Sequence, residues 1–238
     1  MIEVNGFNTS QATDASLTFV DVTLRDQRLR LLAGGGVYHR DRRSLFVADL
    51  HLGKDTTFRR HGLPVPKGSC EATLNRVAKM IDACEPAQLF FLGDMFHAKS
   101  SVSDEVDRAI CAFRDRFSEI PMTLVRGNHD ASFRKLPSRW AIDSCAENFI
   151  VDELRLCHHP VHCGDDKALA LAGHLHPAFA LGTVTERLGN LPCFWYTQGC
   201  LILPAIGEFT GTYRVRRQAA DDRVWVVADE TVLEIPNV

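Results

Sequence analysis

Five short apolar runs in this chain each end in a cluster of Asp, His or Asn, and that recurrence constrains the fold more than any other feature. Asp49-Leu50-His51 follows the apolar residues 45–48, and Gly93-Asp94-Met95-Phe96-His97 follows residues 89–92. Gly127-Asn128-His129-Asp130 follows residues 123–125, His158-His159-Pro160 follows 154–157, and Gly173-His174-Leu175-His176 follows 168–172. Each run has the length of a buried strand. In open α/β sheets, ligand sites form outside the carboxyl ends of the strands. A fold that gathers these five ends at one edge gathers seven of the ten histidines with them.

The residue types define the chemistry. Carboxylate oxygen, amide oxygen and imidazole nitrogen together suit Mn, Fe or Zn. They are too rich in nitrogen for Ca and too poor in thiol for an iron–sulfur cluster. Seven or so donors exceed what one four-coordinate zinc takes. Two divalent ions about 3.5–4 Å apart would use them, clamping the attacking and leaving oxygens of a phosphoryl transfer. Two such ions need an anionic bridge, and Asp94, central in chain order, is the natural one.

The rest of the pattern gives the frame. Residues 17–24 alternate apolar and polar and, with 28–32, predict a hairpin; Gly34-Gly35-Gly36 reads as a plain turn. Helices are expected at 69–83 and at 103–117, the second capped by Ser103. Beyond residue 178 the pattern is all short strands, at 178–184, 192–196, 201–203, 213–215 and 224–227. Strand and helix alternate in the first half and strands dominate the second, an α/β (α+β) mix that fits two packed sheets with helices outside. Trp195-Tyr196 is expected in the sandwich core, and Arg214-Val215-Arg216-Arg217 on the outside of a sheet.

Composition closes off several alternatives. With 27 Lys+Arg against 30 Asp+Glu, the net charge of −3 argues against a broad basic face that holds DNA by charge alone. No apolar run approaches the 18 or so residues of a membrane span. Residues 1–16 read as a loose polar leader without the basic start and apolar centre of a signal peptide. A cytoplasmic location is expected, and the eight cysteines then read as reduced thiols. None forms a Cys-x-x-Cys pair, which excludes a zinc ribbon or thioredoxin-type site.

Taken together, Asp49-x-His51, Gly93-Asp94-x-x-His97, Gly127-Asn128-His129-Asp130, His158 and Gly173-His174-x-His176 resemble the full signature of the calcineurin-like metallophosphoesterases. Residues 47–54, 58–62 and 203–211 narrow the resemblance to the bacterial ligase-associated DNA damage response endonuclease family. The resemblance implies a four-layer αββα sandwich of two mixed β-sheets flanked by helices, one domain over residues 1–238. It implies that Asp49, His51, Asp94 and His176 hold one metal, and that Asp94, Asn128, His158 and His174 hold the second, Mn being expected with Fe or Zn as alternatives. His129 then protonates the leaving oxygen, oriented by Asp130 or Asp94. Of the adjacent His158 and His159, which point to opposite sides of a strand, His158 is expected to be the ligand.

His97 is expected either at the substrate or behind a ligand. Lys54, Arg59 and Arg60 are the cations placed to touch phosphate, although a solvated helix or loop face is the plainer reading for Arg59 and Arg60. The implied function is a two-metal phosphodiesterase, a DNA endonuclease in repair, working beside an ATP-dependent DNA ligase, a helicase and an exonuclease. The alternatives are a small-molecule phosphatase or pyrophosphohydrolase on the same scaffold. A non-catalytic scaffold protein fits poorly, because every expected ligand and His129 are present. A lipid-pathway pyrophosphohydrolase needs a lid, and the stretch between His158 and His174 is too short for one.

Overall fold

The computed structural model describes residues 17–66, 68–164, 167–182 and 187–236; the expected leader at 1–16 lies outside them. The chain opens with β1 (Phe19–Leu24), β2 (Gln27–Leu32), β3 (Val37–His39) and β4 (Ser44–Val47), followed by α1 (Lys54–Arg60) and α2 (Ser69–Cys84). Then come β5 (Gln88–Leu92), α3 (Asp104–Arg116), β6 (Met122–Val125) and β7 (Asp143–Cys145). These seven strands form one sheet in the order β1-β2-β3-β4-β5-β6-β7. The first four pair antiparallel and the last four parallel. Arg25 and Asp26 join β1 to β2 with φ of 47° and 63°, the left-handed pair that a two-residue hairpin loop requires.

The second sheet holds β8 (Phe149–Val151), β9 (Leu154–Leu156), β10 (Leu169–Ala172), β11 (Pro177–Gly182), β12 (Arg187–Thr197) and β13 (Cys200–Ile202). It is completed by β14 (Tyr213–Arg214), β15 (Arg223–Ala228) and β16 (Thr231–Ile235). Its order is β14-β11-β12-β13-β10-β9-β8, with β15 and β16 attached through β12. β9, β10 and β13 run parallel and the remaining pairs are mostly antiparallel, so both sheets are mixed.

The main core lies between the sheets. Phe46, Phe90, Leu92 and Val125 of the first meet Leu156, Leu171, Phe194 and Trp225 of the second; Phe46 and Phe90 stack at 5.3 Å. A second core forms where α2 and α3 press Leu74, Val77, Ile81, Ile110 and Phe113 onto the outer face of the first sheet. Covered on both faces, β4 and β10 are buried at every position, which is why they read as unbroken apolar runs. Ser103 caps α3 by accepting the Val106 N–H, and Asp104, Glu105 and Asp107 sit in its first turn, where the helix dipole favours negative charge.

The sandwich flanked by helices matches the expectation, with its helices concentrated on one side. The outer face of the second sheet is covered by Cys157, Cys163, Val161 and Leu175 from strand ends and loops. Trp195 also lies on that outer side, whereas Tyr196 enters the inter-sheet core. Consecutive strand residues face opposite ways, so the pair could not both be sandwich core. None of the eight cysteines is disulfide-bonded.

This architecture positions the site. β4, β5 and β6 run parallel in one sheet, and β9 and β10 in the other, so all five ligand-bearing segments leave at one edge. Backbone bonds lock the exits together: Asp49 N–H to the Gly93 carbonyl, His51 N–H to Asp94, and Gly173 N–H to His158 (3.2, 2.9 and 3.1 Å). The segment 203–211 crosses from the second sheet, giving the Ile206 and Gly207 N–H groups to the carbonyls of Ala48 and Asp49 (3.1 and 3.0 Å).

Candidate metal centre

The strand exits bend sharply. Asp49, His51, Asp94, His174 and His176 all have left-handed backbones, with φ of 55°, 46°, 47°, 71° and 51°. Non-glycine residues pay for this conformation, and such strain clusters at functional sites. The glycines in the motifs give the turns room. A Cβ on Gly173 would lie 2.5 Å from Asp49 Oδ2 and 2.8 Å from the Ala48 Cβ. One on Gly93, whose φ is 81°, would lie 2.7 Å from the Cβ of His158 and closer still to its ring.

Two sets of donor atoms face inward. In the first, His51 Nε2 and His176 Nε2 are 3.2 Å apart, and Asp49 Oδ1 is 3.5 Å from His176 Nε2. In the second, His158 Nε2 is 3.0 Å from Asn128 Oδ1 and 3.1 Å from His174 Nδ1. Asp94 stands between the sets: Oδ2 is 3.9 Å from His51 Nε2, and Oδ1 is 3.4 Å from His158 Nε2.

The proton positions show what these sets fit. His176 Nδ1 bonds the Gly211 carbonyl at 2.9 Å and His158 Nδ1 the Leu92 carbonyl at 3.2 Å. Both Nδ1 atoms must therefore be donors, which leaves both Nε2 atoms as lone pairs in the neutral rings. Those lone pairs point at further acceptors, and the buried Asp49 Oδ1 has no hydrogen-bond partner. Converging acceptors without donors fit cations. Imidazoles that give their second N–H to a backbone carbonyl are oriented as metal ligands usually are.

His158 responds to the carboxylates around it: burial acts to lower it, but the hydrogen bond and charge of Asp94 and the charge of Asp49 outweigh that and raise it, so the carboxylates favour a positive charge at this point of the site. Burial pushes the His51 imidazole down to about 3, against the pull of the Asp94 carboxylate. Burial likewise lowers His174, so both rings stay neutral and able to coordinate. Burial acts to raise Asp94, but the hydrogen bond and charge of His158 and the His129 amide outweigh it and hold the carboxyl at about 2.

His129 is placed differently from the ligands. Its N–H donates to Asp94 Oδ1 at 2.9 Å, and its Nδ1 bonds the His97 carbonyl at 2.5 Å. Nε2 is thereby turned to the site, 3.8 Å from Asp94 Oδ2.

The calcineurin-like phosphoesterase family profile matches residues 42–189 of the chain. The chain is a calcineurin-like phosphoesterase. Such enzymes are hydrolases that use divalent metals, in keeping with the His and Asp clusters here. A solved structure, the nuclease MPE of Pseudomonas putida, aligns with 32% identity and a TM-score of 0.78. That alignment covers 92% of this chain and 100% of the nuclease. The phosphoesterase Yfce of E. coli aligns at 11% identity and a TM-score of 0.41, over 81% of this chain and 97% of the other. No curated protein gave a significant sequence match.

The remaining expected site residues of the phosphoesterase are distributed as follows. Asp130 does not orient the His129 ring. It is buried, and its two oxygens accept the N–H groups of Phe96 and Gly127 (3.2 and 3.0 Å). It braces the two loops that carry Asp94 and Asn128, and burial pushes its carboxyl up to about 6 despite those bonds. The orienting group is the His97 carbonyl, and the His97 ring stacks on His129 at 5.4 Å. His159 turns to Glu147, which accepts its Nδ1–H at 2.7 Å and its backbone N–H at 3.1 Å. Its ring still lies 4.3 Å from that of His174. Glu147 sits in a loop between two short strands, where no sequence pattern marked it.

Lys54 is half-buried at the head of α1, with Nζ 6.0 Å from the Phe58 ring centre. Arg59 is engaged by Asp55 Oδ2 at 2.8 Å and by the Pro66 carbonyl. Arg60 donates to the Ser100 carbonyl at 2.6 Å. These bonds tie both arginines to groups of their own helix and of the neighbouring loops.

Proposed function

We propose that this phosphoesterase is a two-metal phosphodiesterase that cuts DNA, working in the cytoplasm as a repair endonuclease. The observation that carries the reading is the 32% identity with a nuclease, over that protein's whole length; the two inward-facing groups of Asp, Asn and His atoms support it. Manganese is the proposed metal, with iron or zinc as alternatives. The resemblance in the sequence extends the proposal to an ATP-dependent DNA ligase, a helicase and an exonuclease as working partners.

When bound, two divalent ions supply a water of lowered pKa and neutralise the phosphate charge. Asp49, His51, Asp94 and His176 would hold one, and Asp94, Asn128, His158 and His174 the other. Asp94 offers one oxygen to each set, which suits a shared carboxylate. With its Nδ1–H given to the His97 carbonyl, His129 can carry a second proton at Nε2 only as the imidazolium. In that posture it donates to the leaving alkoxide as general acid. An unactivated alkoxide needs that proton; a phenolate does not.

The test is hydrolysis by the Mn-loaded protein of single-stranded, duplex and nicked DNA, a small phosphodiester and a phosphomonoester. Cleavage of DNA and of the diester is expected. Efficient monoester hydrolysis with no cleavage of any nucleic acid would leave a phosphatase on the same scaffold.

A further inference from the structure

A strand that begins at the metal centre leads to a surface the chemistry above does not use. Tyr213 gives its N–H to the carbonyl of His176 at 3.0 Å. From there residues 213–215 follow β11, with Tyr213 opposite Pro177, Arg214 opposite Ala178, and the Val215 N–H on the Ala178 carbonyl. Beside them lies an open groove of about 440 Å³, lined by Phe179, Ala180, Val215 and three arginines, Arg214, Arg216 and Arg217.

The arginines are not equivalent. Arg217 lies over the Phe179 ring and donates to the carbonyls of Ile235 and Pro236; it is part of the groove wall. Arg214 and Arg216 are exposed and have no hydrogen bond or ion pair among the described residues. Among the described residues no acidic side chain lines the groove, in a chain whose net charge is −3. At the metal end, Tyr213 is 46% exposed and stacks on Trp195, with ring centres 6.0 Å apart and planes 11° from parallel.

Resting on the nuclease reading above, we propose that this groove carries the single strand leading away from the scissile phosphate. Arg214 and Arg216 meet its phosphates within about 10 Å of the strand's start at 3.3 Å per residue. Tyr213 lies outside the groove lining and, next to Arg214 on the edge strand β14, faces the other way. Its supported ring stacks the base nearest the metals, before the nucleic acid crosses that edge into the groove, as aromatic platforms do in single-strand binders. A duplex keeps its bases stacked on one another and gains nothing from that ring.

The experiment measures binding of the metal-loaded full chain to labelled single-stranded and duplex oligonucleotides across a salt series, beside cleavage. Arg214→Ala/Arg216→Ala should make the single-strand salt dependence shallower by about 1.4 in log–log slope, about 0.7 per phosphate contact. Lys79→Ala/Arg108→Ala, on exposed faces of α2 and α3, removes the same charge and should leave the slope as in the wild type. Tyr213→Ala should weaken single-strand binding about tenfold, and Tyr213→Phe should restore it. Thermal unfolding and metal content check that each variant is folded and loaded. An unchanged slope in the arginine pair, an equal change in the control pair, or an equal loss on duplex would each overturn the groove. If the wild type cleaves and binds no nucleic acid, the nuclease reading falls and the groove with it.

Discussion

Replacing Gly93 by alanine should dislodge His158 and empty one metal set. The comparison that isolates the cause is Gly62→Ala, because the two glycines have nearly the same φ, 81° and 80°. Both substitutions therefore carry the left-handed cost of a Cβ, about 1–2 kcal/mol. They differ in what the Cβ meets. At Gly62 there is nothing within 4 Å, and at Gly93 there is the His158 side chain. His158 is fully buried, and its Nδ1–H is given to the Leu92 carbonyl at 3.2 Å, so it can yield only by breaking that bond. One hydrogen bond at about 0.5–1.5 kcal/mol puts Gly93→Ala about 0.5–1.5 kcal/mol below Gly62→Ala. For a chain of this size that is roughly 1–6 °C in Tm. Thermal unfolding in chelator reads the chain's own loss, and metal content after gel filtration reads the ligand. Gly62→Ala should keep two ions per chain and Gly93→Ala about one. Two ions retained in Gly93→Ala, with the Tm of Gly62→Ala, would refute the placement of His158 and its role as a ligand.

Three further outcomes are expected. His129→Ala should keep its metal but lose about 10²–10⁴-fold in rate on DNA, and much less on a diester with a good leaving group; equal losses on both substrates would contradict a proton donor. Asp94→Asn removes the charge shared by the two sets and should lower metal content by at least one ion per chain, which elemental analysis would show. The carboxyl of Asp107 lies below its ordinary value because Arg139 and the Trp140 indole N–H bond it. A depressed carboxylate stabilises the fold above its unfolded value of about 3.9 and loses that effect as pH falls through its lower folded value. The Tm gap between wild type and Asp107→Asn at neutral pH should therefore close as pH drops below about 4; a constant gap would remove the linkage.

How much could be read in advance follows from the physics of each element. The ligand-bearing strands were legible because burial on both faces leaves an unbroken apolar run, and the polar cluster beyond it is abrupt. The helix expected at 69–83 is found at Ser69–Cys84, and the Ser103 cap is where its residue type put it. β7, β8 and β3 were not legible, each having three residues, too few for a period to show. α1 offered no apolar stripe, since its buried residue is Asp55. The site was legible as a set of residue types at strand ends. The errors and omissions concern partners: Asp130 binds backbone amides of two loops, the His97 carbonyl orients His129, and Glu147 holds His159. Such partners depend on where loops from different strands meet, which no local pattern encodes. The aromatic and basic segment 213–217 looked like an ordinary outer strand until its start was found hydrogen-bonded to His176.

Anomalous diffraction from a manganese-loaded crystal tests the central claim most directly. Two peaks are expected: one among Asp49, His51, Asp94 and His176, the other among Asp94, Asn128, His158 and His174, with Asp94 touching both. A single ion, or two ions that share no Asp94 oxygen, would contradict the two-metal site.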